Sequence, residues 1–206
     1  MTVTAEVPKT ARERGKIAPL KLGHVALRTS DASRLIDWYK NVLEAEVMIE
    51  TPLVSFLCYD EEHHRLAIAQ MPGLARPTGL ATGLEHISFT YASADDLFAT
   101  YNRLKTIGIL PYWTINHGPT LSFYYRDPDG NQCELQIDLQ DSAASTNEWF
   151  AQSDFATNPI GVKVNADEII ARYRAGEAAD ELFKRPVIDT AKVFAQLPET
   201  LFGEIS

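Results

Sequence analysis

Gly23-His24-Val25-Ala26-Leu27 and Glu85-His86-Ile87-Ser88-Phe89 head two copies of one pattern, and that duplication decides how the rest of the chain is read. Each stretch leads through a polar turn into an amphipathic helix, so residues 23–47 and 85–109 share a plan. At the 62-residue offset from His24 to His86, Leu27 meets Phe89, Leu35 meets Leu97, Ile36 meets Phe98, Tyr39 meets Tyr101 and Val42 meets Leu104. Self-similarity at a fixed offset marks a supersecondary unit that buries its apolar face against its copies. Paired copies bring equivalent strand positions together, which places His24 and His86 to converge on one bound ion. Glu134, later in the second copy, is the carboxylate that would complete the set.

Outward from the histidines, residues 22–28 alternate, with Val25 and Leu27 on one face and His24, Ala26 and Arg28 on the other, the period of a half-buried strand. A helix follows Thr29-Ser30-Asp31, whose side chains can accept from free amides, and runs to about Glu44 with Leu35, Ile36, Tyr39 and Val42 on one stripe. Residues 53–59 and 64–70 read as a hairpin around the polar Asp60-Glu61-Glu62-His63. The second copy predicts a strand over 84–91, a helix over 94–106, and strands 119–126 and 132–139 joined by Asp127-Pro128-Asp129-Gly130. With that turn centred on Asp129, Tyr124 and Glu134 lie opposite each other on a face shared with Ser122, Gln132 and Gln136. Leu121, Phe123, Tyr125, Cys133, Leu135 and Ile137 make the apolar opposite face. Tyr112, Trp113 and Ile115 are candidates to line an aromatic pocket, and His117 is a possible pocket residue.

The expected organisation is a mobile N-terminal arm over 1–19, module one over 20–71, a Pro/Gly-bearing linker over 72–83 and module two over 84–140. An extension over 141–206 follows, for packing or an oligomer contact. Within it residues 141–160 read as irregular and 165–183 as a helix interrupted at Gly176. With 206 residues, 45% of them hydrophobic, the chain can bury a sizeable core. Its net charge of −9, without a basic run, argues against nucleic acid and anionic membrane as partners. No window approaches the ~20 apolar residues of a membrane span. Two cysteines, Cys58 and Cys133, fit packing roles and a reducing cytoplasm better than a disulfide scaffold.

Over residues 20–140 the chain resembles the vicinal oxygen chelate superfamily (glyoxalases, bleomycin resistance proteins, dioxygenases), and within it the type I extradiol ring-cleavage dioxygenases. The residues that carry the resemblance are Leu22-Gly23-His24-Val25-Ala26-Leu27, Phe56-Leu57-Cys58, His63-His64-Arg65-Leu66-Ala67-Ile68-Ala69, Glu85-His86-Ile87-Ser88-Phe89, and Ser122-Phe123-Tyr124 leading through Asp127-Pro128-Asp129-Gly130 to Glu134. The resemblance implies an α+β fold: two paired βαβββ modules forming a cupped mixed sheet around a metal site, with a partly helical C-terminal extension. It implies Fe(II), with Mn(II) as the other candidate, held by His24, His86 and Glu134. Two imidazoles and a carboxylate on one face of a metal leave adjacent positions open for substrate and oxygen.

From the resemblance come two further roles. His64 matches the family's acid-base histidine, which accepts the second catechol proton and later returns one to promote O–O cleavage. Tyr124 matches a tyrosine that hydrogen-bonds the metal-bound substrate oxygen. The implied partners are a small aromatic diol, a 3-substituted or biaryl catechol among the options, and O2, with the protein a homo-oligomer. Where a glyoxalase-like lyase would need a second glutamate, residues 64–70 hold Ala67 and Ala69. The alternatives are therefore another metal-dependent member of the superfamily (lyase, isomerase or thiol transferase), or a small-molecule-binding protein without catalysis.

Overall fold

The computed structural model describes residues 9–75 and 82–198. The expected arm over 1–19 thus lies outside the described residues as far as residue 8, the linker over 76–81, and the extension over 199–206. From Thr10 to Lys16 the chain makes one capped turn: Lys16 N donates to Ala11 O (2.8 Å), and Thr10 and Glu13 cap each other reciprocally.

Strand β1 (Val25–Thr29) leads into α1 (Ala32–Leu43), then β2 (Glu46–Glu50), β3 (Val54–Cys58) and β4 (Leu66–Gln70). The second module repeats the order with β5 (His86–Thr90), α2 (Ala94–Thr106), β6 (Trp113–Asn116), β7 (Thr120–Arg126) and β8 (Gln132–Asp138). Each module has its own mixed sheet, ordered β1-β4-β3-β2 in the first and β5-β8-β7-β6 in the second. The topology is thus the same, which confirms the α+β class and the duplicated βαβββ plan. It differs from a single sheet in that the ladders close within each module.

The chain divides into two compact units. The first is module one, residues 10–75 and 82–85, together with the turn Arg126–Gln132. Its helix starts where Asp31 accepts from Arg34 N and Gln70 Oε1 accepts from Ala32 N (2.7 Å), so free amides at the helix start find acceptors. Leu35, Tyr39 and Val42 are fully buried against the sheet; burial of each aliphatic side chain stabilises the unit by about 1.5–3 kcal/mol. The turn is built on Asp127. Its Oδ1 accepts from the amides of Asp129 and Asn131 (both 2.9 Å), while the Tyr39 hydroxyl donates to Oδ2 (3.1 Å).

The second unit contains residues 86–125 and 133–198, so the extension folds with module two. A ninth strand, β9 (Val162–Lys163), adds to the edge of β6 in antiparallel register, Ile115 opposite Lys163 and Asn116 opposite Val162. The extension contains α3 (Ala143–Gln152), α4 (Ala166–Arg174) and α5 (Ala179–Leu182), followed by short 3-10 turns at Thr190–Lys192 and Phe194–Gln196. The irregular reading of 141–160 is therefore corrected by α3. That helix buries none of its residues, leaving no apolar stripe to read, although Ser142 and Ser145 form a reciprocal capping box. The helix expected over 165–183 is broken between α4 and α5, where Gly176 takes φ +81°. Helix α4 lies against α2: Tyr101 donates to Asp167 (3.1 Å), Lys105 pairs with it (2.6 Å), and the rings of Phe98 and Tyr173 meet edge to face. Among the described residues no helix is long and apolar enough to cross a membrane.

Candidate active site

The second unit carries a chain of hydrogen-bonding groups on the polar face of its sheet. His86 opens β5 and Glu134 lies in β8, the neighbouring strand, so His86 Nε2 stands 3.1 Å from Glu134 Oε2. The Tyr124 hydroxyl on β7 donates to the other carboxylate oxygen, Oε1, at 2.8 Å. The expected cross-hairpin placement of Tyr124 and Glu134 is thus met. Glu134 is 5% exposed. Burial alone pushes its carboxyl up, but donors from His86, Ser122, Ser88 and Tyr124 together outweigh it and hold the group down at about 2. The carboxylate is therefore an anion throughout the neutral range, held so by hydrogen bonds that favour its charged form.

His117 joins this chain, a residue to which sequence reading had given no definite role. It follows β6, and its Nδ1 lies 2.5 Å from the Ile160 carbonyl oxygen. A carbonyl only accepts, so Nδ1 carries the proton and Nε2, 3.0 Å from the Tyr124 oxygen, presents a lone pair in the neutral ring. Burial keeps this imidazole below its ordinary pKa, against the raising influence of the Ile160 carbonyl and the Glu134 carboxylate. The single Tyr124 proton then faces two acceptors, Glu134 Oε1 and His117 Nε2. A signal for His117 was present in the sequence. Once β6 is seen to pair with β7, Trp113 opposite Tyr124, alternation along 113, 115 and 117 puts His117 on the Tyr124 face.

Aromatic rings wall the same face. Trp113 lies 4.7 Å from the Tyr124 ring centre and 5.7 Å from His117, and Tyr112 is 6.3 Å from Tyr124. Ile115, opposite Ser122 on that face, is fully buried. Tyr125 faces away and is core, as expected; its burial raises the phenol far above the ordinary value.

The first unit holds the other candidates. His24 is exposed, just ahead of β1, with its ring 4.6 Å from that of His64. His64 sits in the loop before β4, stacked on Phe56 at 4.3 Å, and its Nδ1 lies 2.5 Å from that of the exposed His63. Partial desolvation, then the neighbouring imidazoles of His63 and His24, hold the His64 pKa below the usual value. In β4, Ala67 and Ala69 stand where β8 has its carboxylate.

Of the three expected metal ligands, the structure brings His86 and Glu134 together; His24 belongs to the other unit. Among the described residues no group of three or more His, Cys, Asp or Glu side chains is gathered to hold a metal ion. The pair itself suits a divalent first-row ion: an imidazole nitrogen and an anionic carboxylate oxygen converge from adjacent strands, and both carboxylate oxygens are oriented by hydrogen bonds.

Comparison with known proteins identifies relatives of the chain. The profile of the Glyoxalase/Bleomycin resistance protein/Dioxygenase superfamily matches residues 21–135. The chain is 38% identical over 167 residues to biphenyl-2,3-diol 1,2-dioxygenase 3 of Rhodococcus globerulus, covering 80% of this chain and 88% of that one. It is 37% identical over 163 residues to biphenyl-2,3-diol 1,2-dioxygenase 2 of the same organism, covering 79% and 86%. An alignment spanning 80% of the chain cannot end at residue 135, so this similarity runs into the C-terminal extension. A solved glyoxylase/bleomycin resistance protein/dioxygenase domain from Frankia sp. EAN1pec shares the fold at a TM-score of 0.50 and 21% identity; 99% of it is matched by 59% of this chain. Duplicated topology, matched profile and close relatives agree that the chain belongs to the Glyoxalase/Bleomycin resistance protein/Dioxygenase superfamily.

Proposed function

We propose that the protein is an extradiol dioxygenase that opens a catechol ring with O2, using Fe(II), or Mn(II), held by His24, His86 and Glu134. The observation that carries this reading is the buried Glu134 carboxylate, kept anionic beside His86 with a phenol donating to it. The names of the two Rhodococcus relatives, both biphenyl-2,3-diol 1,2-dioxygenases, support the same reaction and a biaryl or other 3-substituted catechol as substrate. When bound, the divalent ion would supply a centre where catechol and O2 meet on adjacent open positions.

The chain's own residues do the rest. Trp113 and Tyr112 offer an apolar wall for the aromatic substrate, and Tyr124, its proton turned from Glu134 Oε1, orients it by donating to a hydroxyl oxygen. His64, whose environment favours the neutral imidazole, accepts the second catechol proton and returns a proton later, the acid-base role open to an imidazole. His117 Nε2 offers the Tyr124 proton a second resting place. The product would be of the 2-hydroxymuconic semialdehyde type. Cys58 and Cys133 are both buried, in keeping with packing roles in a cytoplasmic protein, and a homo-oligomer is part of the same proposal. The glyoxalase-like alternative is disfavoured by Ala67 and Ala69, which cannot supply a fourth ligand.

The test is oxygen uptake by protein loaded anaerobically with Fe(II) and mixed with 2,3-dihydroxybiphenyl and substituted catechols. One O2 consumed per diol, with a yellow ring-opened product, is the expected result. Absence of uptake with iron verified in the protein would refute the dioxygenase reading and leave the lyase or isomerase one.

A further inference from the structure

The segment carrying Trp113 and His117 is held by the C-terminal extension at nearly every residue. Trp113 Nε1 donates to Gln196 O (2.8 Å), Thr114 Oγ1 to Val164 O (2.6 Å) and Asn116 Nδ2 to Phe183 O (2.7 Å). The extension supplies the Ile160 carbonyl that sets the His117 tautomer. It also comes so close that two glycines are required. A Cβ on Gly161 would run into the Asn116 carbonyl and His117 Cα, and one on Gly118 into the Trp149 ring; both glycines have positive φ, +115° and +104°.

One side chain gathers these contacts. Arg185 has a side chain only 3% exposed, whose guanidinium donates from Nη1 to His117 O (2.9 Å) and to Asn158 O (3.0 Å) and pairs from Nη2 with Asp154. It also lies over the Trp149 ring at 4.8 Å. Asn158, 1% exposed, in turn closes the turn around Ile160 by accepting from Gly161 N (2.8 Å) and donating to its carbonyl (3.1 Å). A planar guanidinium can serve two carbonyls, a carboxylate and an indole face at once, which an ammonium cannot.

We infer that the C-terminal extension is a working part of the site, and that Arg185 is a positioning residue which locks His117 between the Ile160 carbonyl and the Tyr124 hydroxyl. The inference rests on the proposed role of the Tyr124–Glu134 face but reaches outside residues 21–135, the span matched by the family profile. The extension therefore serves as a clamp on the aromatic, proton-handling edge of module two. The two proposed ligands His86 and Glu134 lie on β5 and β8, whereas the hydrogen bonds named above fall on β6 and His117.

The test compares full-length wild type with Arg185→Met, Arg185→Lys and the double variant Asp154→Asn/Arg185→Met. The double variant leaves no unpaired buried carboxylate, so it keeps the test valid if the single variant does not fold. In metal-free protein the imidazole proton on His117 Nδ1 should exchange slowly in wild type and be lost to fast exchange in Arg185→Met. Loaded with iron, the folded variant should retain metal while kcat falls about tenfold or more, the scale expected from misplacing a reacting group by a fraction of an ångström, with KM little changed. Arg185→Lys, which can still pair with Asp154, should recover part of kcat. A folded variant with unchanged kcat and an unchanged His117 proton signal overturns the clamp. Wild type without oxygen uptake would defeat the dioxygenase reading, while the His117 signal would still decide the clamp.

Discussion

Modules one and two have the same strand order and different chemistry. In β8 the carboxylate of Glu134 sits within a strand, ringed by donors from β5 and β7, so the sheet itself fixes its position and charge. In module one the matching strand β4 carries Ala67, 7% exposed, and Ala69, and the candidate histidines lie outside the ladders: His24 ahead of β1 and His64 in the loop before β4. Module two also has β9 and the extension along its edge, whereas β2 at the edge of module one leaves Met48 and Ile49 exposed. Duplication supplied one scaffold twice. Divergence then set the polar groups of one copy within its sheet and left the histidines of the other outside the ladders.

The most severe way to sharpen this contrast is Glu134→Ala. Removing the carboxylate leaves four donors facing a gap and should abolish both metal retention and oxygen uptake, read by iron stoichiometry on folded protein; retained iron would sink the ligand assignment. A milder loss is expected on the module-one side. His64→Ala should keep the metal and slow turnover by about 10²–10⁴-fold, the usual scale for one acid-base group. If iron is lost as well, His64 is a holder and the division of labour between the modules fails. The smallest effect on chemistry, though not on folding, comes from trying to make the copies alike. Ala67→Glu would put a carboxylate into β4 without the Ser88, Ser122 and Tyr124 donors of module two. Urea unfolding should report a destabilisation of about 2–7 kcal/mol, the cost of an uncompensated buried polar group. A neutral result would mean that module one had kept room for a second carboxylate.

The helices and the inner strands were legible because their signals are local. Asp31 and Ser93 cap α1 and α2 where the polar turns predict, and the apolar stripes Leu35, Tyr39, Val42 and Leu97, Tyr101, Leu104 are buried as their spacing requires. Strand β2 was missed because, with four of its five residues exposed, it shows no clear alternation. Strand β6 was missed because Tyr112 and Trp113 near Pro111 read equally well as loop packing. That omission also hid His117, whose face is defined only by its register against β7.

By itself, the sequence determined the repeat, the α+β class, the polar face carrying Tyr124 and Glu134, and the candidate histidines, since periodicity and turn chemistry depend on residues within a few positions of each other. Tertiary structure alone decided that His117 Nε2 stands 3.0 Å from the Tyr124 hydroxyl, that four donors outweigh burial and keep Glu134 anionic, and that Arg185 reaches back 68 residues to the His117 carbonyl. Those are contacts between groups far apart in the chain, and their strength depends on solvent exclusion and direction, quantities that exist only once the chain has folded.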